Sequence, residues 1–97
     1  MTRPAAVPSP EQVVAKGFGK KLQQLRRQTG LSQEQLADLA SLHRTEIGML
    51  ERGIRLPRID TLLKLAGALG TSPSDLLDGM RWEPGTPAPV GQFSQAG

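Results

Sequence analysis

The segment GLSQEQLADLASLHRTEIGMLERG, residues 30–53, predicts two short helices separated by a tight turn. Ser32 can act as an N-cap and Gln35 stands where a capping box places its partner, so one helix begins here and runs to about Ala40. A second helix follows over Arg44–Arg52, after a connection of only about three residues. Helices joined this closely cross steeply, so the second helix should project from the surface.

Another helix is predicted before this segment, and its start has two possible positions. Ser9 could cap it, with Gln12 completing a capping box. However, Gly17 and Gly19 would each cost about 1 kcal/mol inside a helix, so the regular part could instead begin only after Gly19. In both cases Gly30 is a natural end point.

The chain after residue 53 is also predicted to be helical. Leucines recur at helical spacing over residues 62–69, where Gly70 ends a fourth helix, and Ser72 with Asp75 repeats the capping pattern for a short fifth helix. No window of alternating β-branched residues predicts a strand. The expected fold class is therefore all-α, as a compact five-helix domain.

The two ends of the chain differ in composition from its centre. Residues 1–9 and 83–97 are rich in Pro, Gly, Ala and Ser and have almost no apolar periodicity, which is typical of mobile segments. We therefore expect a flexible N-terminal arm over residues 1–9, a folded domain over residues 10–79 and a Pro- and Gly-rich tail over residues 80–97.

Composition narrows the functional classes. The 97 residues suffice for one small domain, and they include no cysteine and a single histidine, His43. We therefore expect no disulfide, no metal site and no other cofactor or small-molecule ligand. No catalytic constellation surrounds His43, so an enzyme is the poorest interpretation. No apolar stretch approaches the roughly 20 residues of a membrane span, and the expected location is the cytoplasm.

The distribution of charge is more informative than its total, a net charge of +3. Residues 16–27 contain five basic side chains and no acidic one: Lys16, Lys20, Lys21, Arg26 and Arg27. Such a basic patch suits a polyanion such as DNA, although a solvated helix face would have the same composition.

The order of these features resembles a known family. The segment over residues 30–53, followed by LPRIDTLLKLAGAL over residues 56–69, is similar to the helix-turn-helix of the Cro and lambda-repressor type, also called the Xre family. The resemblance covers roughly Lys20–Gly79. It implies a lambda-repressor-like domain with its helix-turn-helix at about residues 32–52. The implied function is transcriptional regulation, with repression the expected role, by a homodimer that binds double-stranded DNA at a palindromic operator.

The outward face of the third helix carries side chains suited to base edges in a major groove about 12 Å wide. Arg44 could bind guanine through two hydrogen bonds or contact a phosphate, and Thr45 could bond a base edge or touch a thymine methyl. Met49 could pack on a thymine methyl or a sugar. Glu46 could accept a hydrogen bond from cytosine or simply favour the helix dipole.

The resemblance also implies residues that hold phosphates and residues that fix the helices. Gln33 matches a position where the family directs a glutamine side chain and a helix N-terminus at a phosphate. Further predicted phosphate contacts are Lys20, Lys21, His43, Arg52, Arg55 and Arg58. Arg26 and Glu51 match positions that form a structural ion pair between the first and third helices.

Alternative partners remain open at this stage. The chain could instead be the antitoxin of a toxin pair or another protein-interaction module, or a restriction-modification controller protein, which shares the DNA-binding chemistry. The predicted contacts between two copies are the apolar side chains of the fifth helix and its surroundings: Leu63, Leu76, Leu77, Met80 and Trp82. Trp82 could equally cover its own core.

Overall fold

The computed structural model describes residues 8–85 and 91–95, and this part of the chain contains five helices and a two-stranded sheet. In chain order the elements are α1 (Pro10–Gln28), α2 (Gln33–Ala40), α3 (Arg44–Glu51), α4 (Ile59–Leu69), α5 (Pro73–Leu76), β1 (Met80–Glu83) and β2 (Gln92–Gln95). The predicted all-α class is confirmed only approximately, because the two strands are an addition to the five helices. None of the described helices has the length and apolar character needed to cross a membrane.

Serine caps set the first residue of three helices. The Ser32 hydroxyl accepts a hydrogen bond from the backbone nitrogen of Gln35 at 3.0 Å, and the Gln35 side-chain oxygen accepts one from the Ser32 nitrogen at 2.8 Å. Ser9 and Gln12 make the same two bonds before α1, and the pattern recurs before α5. Each pair satisfies donors that a helix N-terminus leaves unpaired. The first helix therefore begins at the earlier of its two predicted positions.

Two glycines lie inside α1 because other parts of the chain approach its backbone there. A Cβ atom on Gly19 would lie 2.6 Å from the carbonyl oxygen of Glu51, at the end of α3. A Cβ atom on Gly17 would overlap the side chain of Gln95, in β2. The helix propensity lost at these glycines, about 1 kcal/mol each, is thus offset by the close packing of α3 and β2 on α1.

The core lies where the helices meet. Its largest fully buried side chains are Phe18, Leu22, Leu36, Ile47, Leu50, Leu65 and Leu76. The third helix, α3, packs against α1 and α2 and buries only Ile47 and Leu50, so its opposite side stays outside the core. Since Leu76 is fully buried within its own protomer, its prediction as a contact between two copies is wrong.

The two strands form an antiparallel hairpin within the segment predicted as a tail. Trp82 pairs with Phe93 across the hairpin, and their rings pack edge to face with centroids 5.0 Å apart. The hairpin also contacts α1, where Gln95 lies over Gly17. The sequence did not predict these strands because each has only 4 residues and neither contains alternating β-branched residues. Their packing partners, and not local propensity, therefore explain them.

The predicted flexible ends coincide only in part with the described residues. Residues 1–7 of the arm lie outside them, whereas Ser9 caps α1. Residues 86–90 and 96–97 of the tail also lie outside the described part. The flexibility of these ends therefore stays a prediction.

Gly19 offers a test of the packing between α1 and α3. We expect Gly19→Ala to lower the free energy of unfolding by about 1–3 kcal/mol, because the added methyl would meet backbone atoms that cannot move independently. The matched control is Gly48→Ala in α3, where the nearest atom to an added Cβ is a side-chain nitrogen of Arg52 at 3.9 Å. There alanine should stabilise the fold by up to about 1 kcal/mol. Urea unfolding measures both variants, and equal effects would contradict the close approach.

Candidate nucleic-acid interface

The outer face of α3 presents polar side chains that the core does not use. Arg44 and Thr45 are exposed, as is Arg52 at the C-cap, whereas Ile47 and Leu50 are buried on the opposite side. A helix with its side chains is about 10–12 Å wide, which matches a major groove about 12 Å wide. The face therefore offers hydrogen-bonding groups on an element of suitable width.

The other two predicted base contacts are less exposed. Glu46 and Met49 are both half-buried. The sequence placed Met49 among the residues that point away from the core, but the structure places only part of its side chain at the surface. Both residues therefore lie at the flank of the outer face, and only their exposed atoms could meet DNA.

A cavity of about 360 Å³ opens where α3 meets α1 and α2. It is bordered by four of the predicted DNA contacts, namely Gln33, Arg44, Thr45 and Arg52. Gly48 lies among them and contributes no side chain. The Nε of Arg52 donates a hydrogen bond to the Gly48 carbonyl oxygen at 3.1 Å, which holds the guanidinium along the outer face of α3. The fold thus brings the start of α2 and the outer face of α3 to one site.

Arg26 and Glu51 form a buried ion pair at this site. The Nε and Nη2 atoms of Arg26 donate to the two carboxylate oxygens of Glu51 at 2.6 and 3.0 Å. Only 11% of the Arg26 side chain and 2% of the Glu51 side chain are exposed. The Nη1 atom of Arg26 also donates to the carbonyl oxygen of Leu31 at 2.9 Å. The pair therefore ties α1 to α3 and to the turn that precedes α2.

Two glutamines complete the hydrogen bonding of Glu51. The side-chain nitrogens of Gln33 and Gln23 donate to the same carboxylate oxygen at 3.1 and 3.4 Å. An amide nitrogen carries two hydrogens, so Gln33 keeps one donor for a phosphate. Gln23 was not among the site residues predicted from the sequence. The signal for it was its position three residues before Arg26, on the same face of α1.

These contacts keep both members of the pair charged. Burial by itself raises the pKa of the Glu51 carboxyl, but the hydrogen bonds from Arg26 and Gln33 and the charge of Arg26 outweigh burial and hold that pKa below its ordinary value of 4.5. The hydrogen bond to Glu51 raises the pKa of the Arg26 guanidinium. Because the folded-state pKa of Glu51 is lowered, its ionisation stabilises the fold above that ordinary value. This stabilisation is lost as the pH falls through the lowered pKa.

Two of the predicted phosphate contacts lie elsewhere on α1. Lys20 and Lys21 border a different cavity, together with Gln24 and Gln95. The Nζ atom of Lys21 also lies 3.9 Å from a carboxylate oxygen of Asp78. The structure therefore does not bring these lysines into the site beside α3.

Three further predicted phosphate contacts lie just before or after α3. His43 directly precedes α3 and makes no side-chain capping bond to it, and Arg55 lies in the loop that follows the helix. Arg58 precedes α4, with its Nε 3.2 Å from a carboxylate oxygen of Asp60. All three predicted contacts are exposed and free of the core, so they can reach a partner at the surface.

The buried pair predicts a large effect of a single truncation. Arg26→Ala should lower the free energy of unfolding by about 3–5 kcal/mol, because it leaves the Glu51 carboxylate buried without its cation. The matched control is Arg27→Ala, which removes the exposed neighbouring arginine and should change stability by less than about 0.5 kcal/mol. Urea unfolding of both variants measures the difference. A loss below about 1 kcal/mol for Arg26→Ala would reject the structural role of the pair.

Comparison with known proteins agrees with this architecture. The family described as helix-turn-helix (HTH_3) matches residues 22–76, more than half of the chain. Control protein C.BamHI of Bacillus amyloliquefaciens is 47% identical over 62 residues, which are 63% of this chain and 76% of that protein. The solved restriction-modification controller protein C.AhdI from Aeromonas hydrophila is 45% identical with a TM-score of 0.63, and the match covers 64% of this chain and 94% of that one.

A third similar protein was solved together with DNA. The structure of SinR, described as the master regulator for biofilm formation in complex with DNA, is 31% identical with a TM-score of 0.61, and the match covers 63% of this chain and 98% of that one. The family match over residues 22–76 includes both helices of the motif, and the resemblance expected from the sequence is confirmed. The chain belongs to the Xre-type helix-turn-helix family of DNA-binding transcriptional regulators.

Proposed function

We propose that this protein recognises a specific sequence of double-stranded DNA by placing α3 in the major groove, and that it acts as a dimeric repressor on a palindromic operator. The observation that carries the proposal is the position of α3. A buried ion pair holds its inner side, while its outer side carries exposed Arg44, Thr45 and Arg52. A helix fixed in this way can enter a groove without rearranging, so little ordering cost is added on binding.

The base contacts are assigned by position and chemistry. Arg44, at the first turn of α3, would donate two hydrogen bonds to guanine O6 and N7, and Thr45 would meet the neighbouring base edge. Glu46 and Met49 would act from the flank, through a cytosine amino group and a thymine methyl. Gly48 would let the backbone of α3 come close to the DNA, and this gain would offset the weaker helix propensity of glycine.

The phosphate contacts would supply most of the affinity and set the register on the duplex. Gln33 is proposed to donate its remaining amide hydrogen to a phosphate at the N-terminus of α2, where backbone N–H groups also favour an anion. The other proposed phosphate contacts are the exposed or partly exposed cationic side chains and the adjacent histidine: Lys20, Lys21, His43, Arg52, Arg55 and Arg58. Each lysine or arginine bound to a phosphate should add about 0.9 to the slope of log K against log salt.

A dimer is proposed because one α3 contacts too few base pairs to select a site in a genome. Two copies related by a two-fold axis would place their α3 helices in successive major grooves about 34 Å apart. The operator would then contain two inverted half-sites, and the discrimination supplied by each half-site would combine.

A more specific role as a restriction-modification controller is supported by the relatives. The controller C.AhdI is 45% identical to this chain over 94% of its length, and C.BamHI is also named a control protein. In that role the operator would lie upstream of restriction-modification genes. Reporter transcription from the promoters adjacent to this gene would distinguish this role from regulation of other genes.

Two substitutions separate recognition of bases from binding to phosphate. In sequences selected from a random DNA pool, Arg44→Ala should relax the preference at one base position in each half-site, with a cost of about 1–3 kcal/mol for the preferred base. Gln33→Ala should weaken binding to all sequences alike.

Gln23→Ala is the control, because it removes a hydrogen bond to the same Glu51 oxygen. Equal losses in Gln33→Ala and Gln23→Ala would show that Gln33 acts only through Glu51. Sequence-independent loss in Arg44→Ala would contradict its assignment to a base.

A further inference from the structure

One side of α4 is apolar and faces away from the core. Ile59 and Leu63 lie about one turn apart and are 79% and 56% exposed, although Leu65 of the same helix is fully buried. Gly67 follows one turn later, and apart from its chain neighbours and the nearby backbone of α4, no atom of the described residues lies within 4 Å of the position that its Cβ would take. The packing of the protomer therefore explains neither the two exposed side chains nor the glycine. We call Ile59, Leu63 and Gly67 the α4 stripe.

The α4 stripe is self-complementary about a two-fold axis. Its residues are spaced four apart, so Leu63 is the midpoint. When two α4 helices pack antiparallel across this midpoint, Leu63 meets the partner's Leu63 and each Ile59 meets the partner's Gly67. The absence of a side chain at Gly67 leaves room for the isoleucine, so a large residue meets a small one at both ends, as close packing requires.

The charges beside the stripe fit the same arrangement. Asp60 and Lys64 lie four residues apart on one flank of α4. The two-fold axis of an antiparallel helix pair brings this flank of one helix beside the same flank of the other. Asp60 would then face the partner's Lys64, twice per dimer. In the protomer Asp60 contacts Arg58 at 3.2 Å, but both side chains are largely exposed, and such pairs are weak.

We propose that two copies of this chain associate through the α4 stripe. The inference rests on the proposed function, which requires a dimer, and it adds where the copies meet. A second apolar surface is a groove of about 300 Å³ beside the hairpin, bordered by Trp82 and Phe93 among others. There the two rings already pack on each other, and Trp82 is 49% exposed, less than Ile59. Shape and charge thus favour α4 over the hairpin.

Sedimentation equilibrium of the full chain tests the interface. Leu63→Glu should raise the dimer dissociation constant by about 100-fold or more, because it places two carboxylates together at the two-fold axis. The matched control is Leu39→Glu, since Leu39 of α2 is 61% exposed but lies outside the stripe. The dimer dissociation constant of this variant should equal that of the wild type.

A wild-type protein that is monomeric at every concentration would overturn the proposal, as would an unchanged dimer dissociation constant for Leu63→Glu. Dissociation by a folded Trp82→Glu variant alone would place the interface at the hairpin and also overturn it.

Gly67→Gln separates association from folding. The side chain has open space in the protomer, and glutamine favours a helix more than glycine does, so the melting temperature of the dilute monomer should rise. Association should weaken by about 10-fold, because glutamine fills the space that the partner's Ile59 would occupy. Unchanged or tighter association would contradict the proposed contact.

Mixing two charge variants tests the antiparallel register. Asp60→Lys and Lys64→Asp should each weaken self-association, because each would place like charges on facing flanks. An equal mixture of the two should form heterodimers in preference to either homodimer, since opposite charges then face each other. Pairing within one helix could not produce this preference. A random mixture of dimers would overturn the antiparallel register.

DNA binding separates failure of this interface from failure of the proposed function. Leu63→Glu should bind a duplex with one half-site as tightly as the wild type, and it should lose the tighter binding to a palindrome. If the wild type binds no duplex at low salt, the proposed function fails, while the sedimentation results still decide the interface. Equal palindrome binding by Leu63→Glu and wild type would overturn the role of the α4 stripe in operator binding.

Discussion

The buried ion pair between Arg26 and Glu51 is the interaction on which the DNA-binding surface depends. Both charges are removed from water, so they are tolerated only while the hydrogen bonds between them keep their geometry. Glu51 is the last residue of α3, and Arg26 also holds the carbonyl of Leu31 before α2. Rotation of α3 about its axis, or a shift of α2 against it, would therefore break contacts that water cannot replace. One carboxylate thus helps to orient both helices.

This constraint matters because α3 has little stability of its own. It contains 8 residues, its cap residue His43 makes no side-chain hydrogen bond to it, and Gly48 lies in its middle. A helix so short would not persist in isolation, so its order comes from packing. Ile47 and Leu50 supply that packing from the core, and the bare backbone of Gly19 lets the end of α3 approach α1. The side chains proposed to contact bases are thus held by features on the opposite side of the helix.

The sequence was most informative where structure is determined locally. The capping pairs predicted where α2 begins, and the apolar spacing identified the outer side of α3. The sequence was less informative where distant segments meet. Only the fold shows that Gly19 lies under the end of α3 and that Gln23 contacts Glu51. The burial of Leu76 within its own protomer was likewise not evident from the sequence. The hairpin was not predicted for the same reason. It is stabilised by the contact between Trp82 and Phe93, which are distant in sequence, and local strand propensity takes no account of such contacts. The basic residues of α1 were found by composition, but composition could not assign them to different sides of the helix.

The most direct test of the account is to map backbone amide shifts by NMR while adding a duplex that carries both half-sites. We expect the largest shift changes over residues 44–52 and at the start of α2, while the amide resonances of the remaining residues stay nearly unchanged. Changes confined to the hairpin, or an unperturbed α3 in the presence of saturating duplex, would contradict the claim that this helix is held outward to contact DNA.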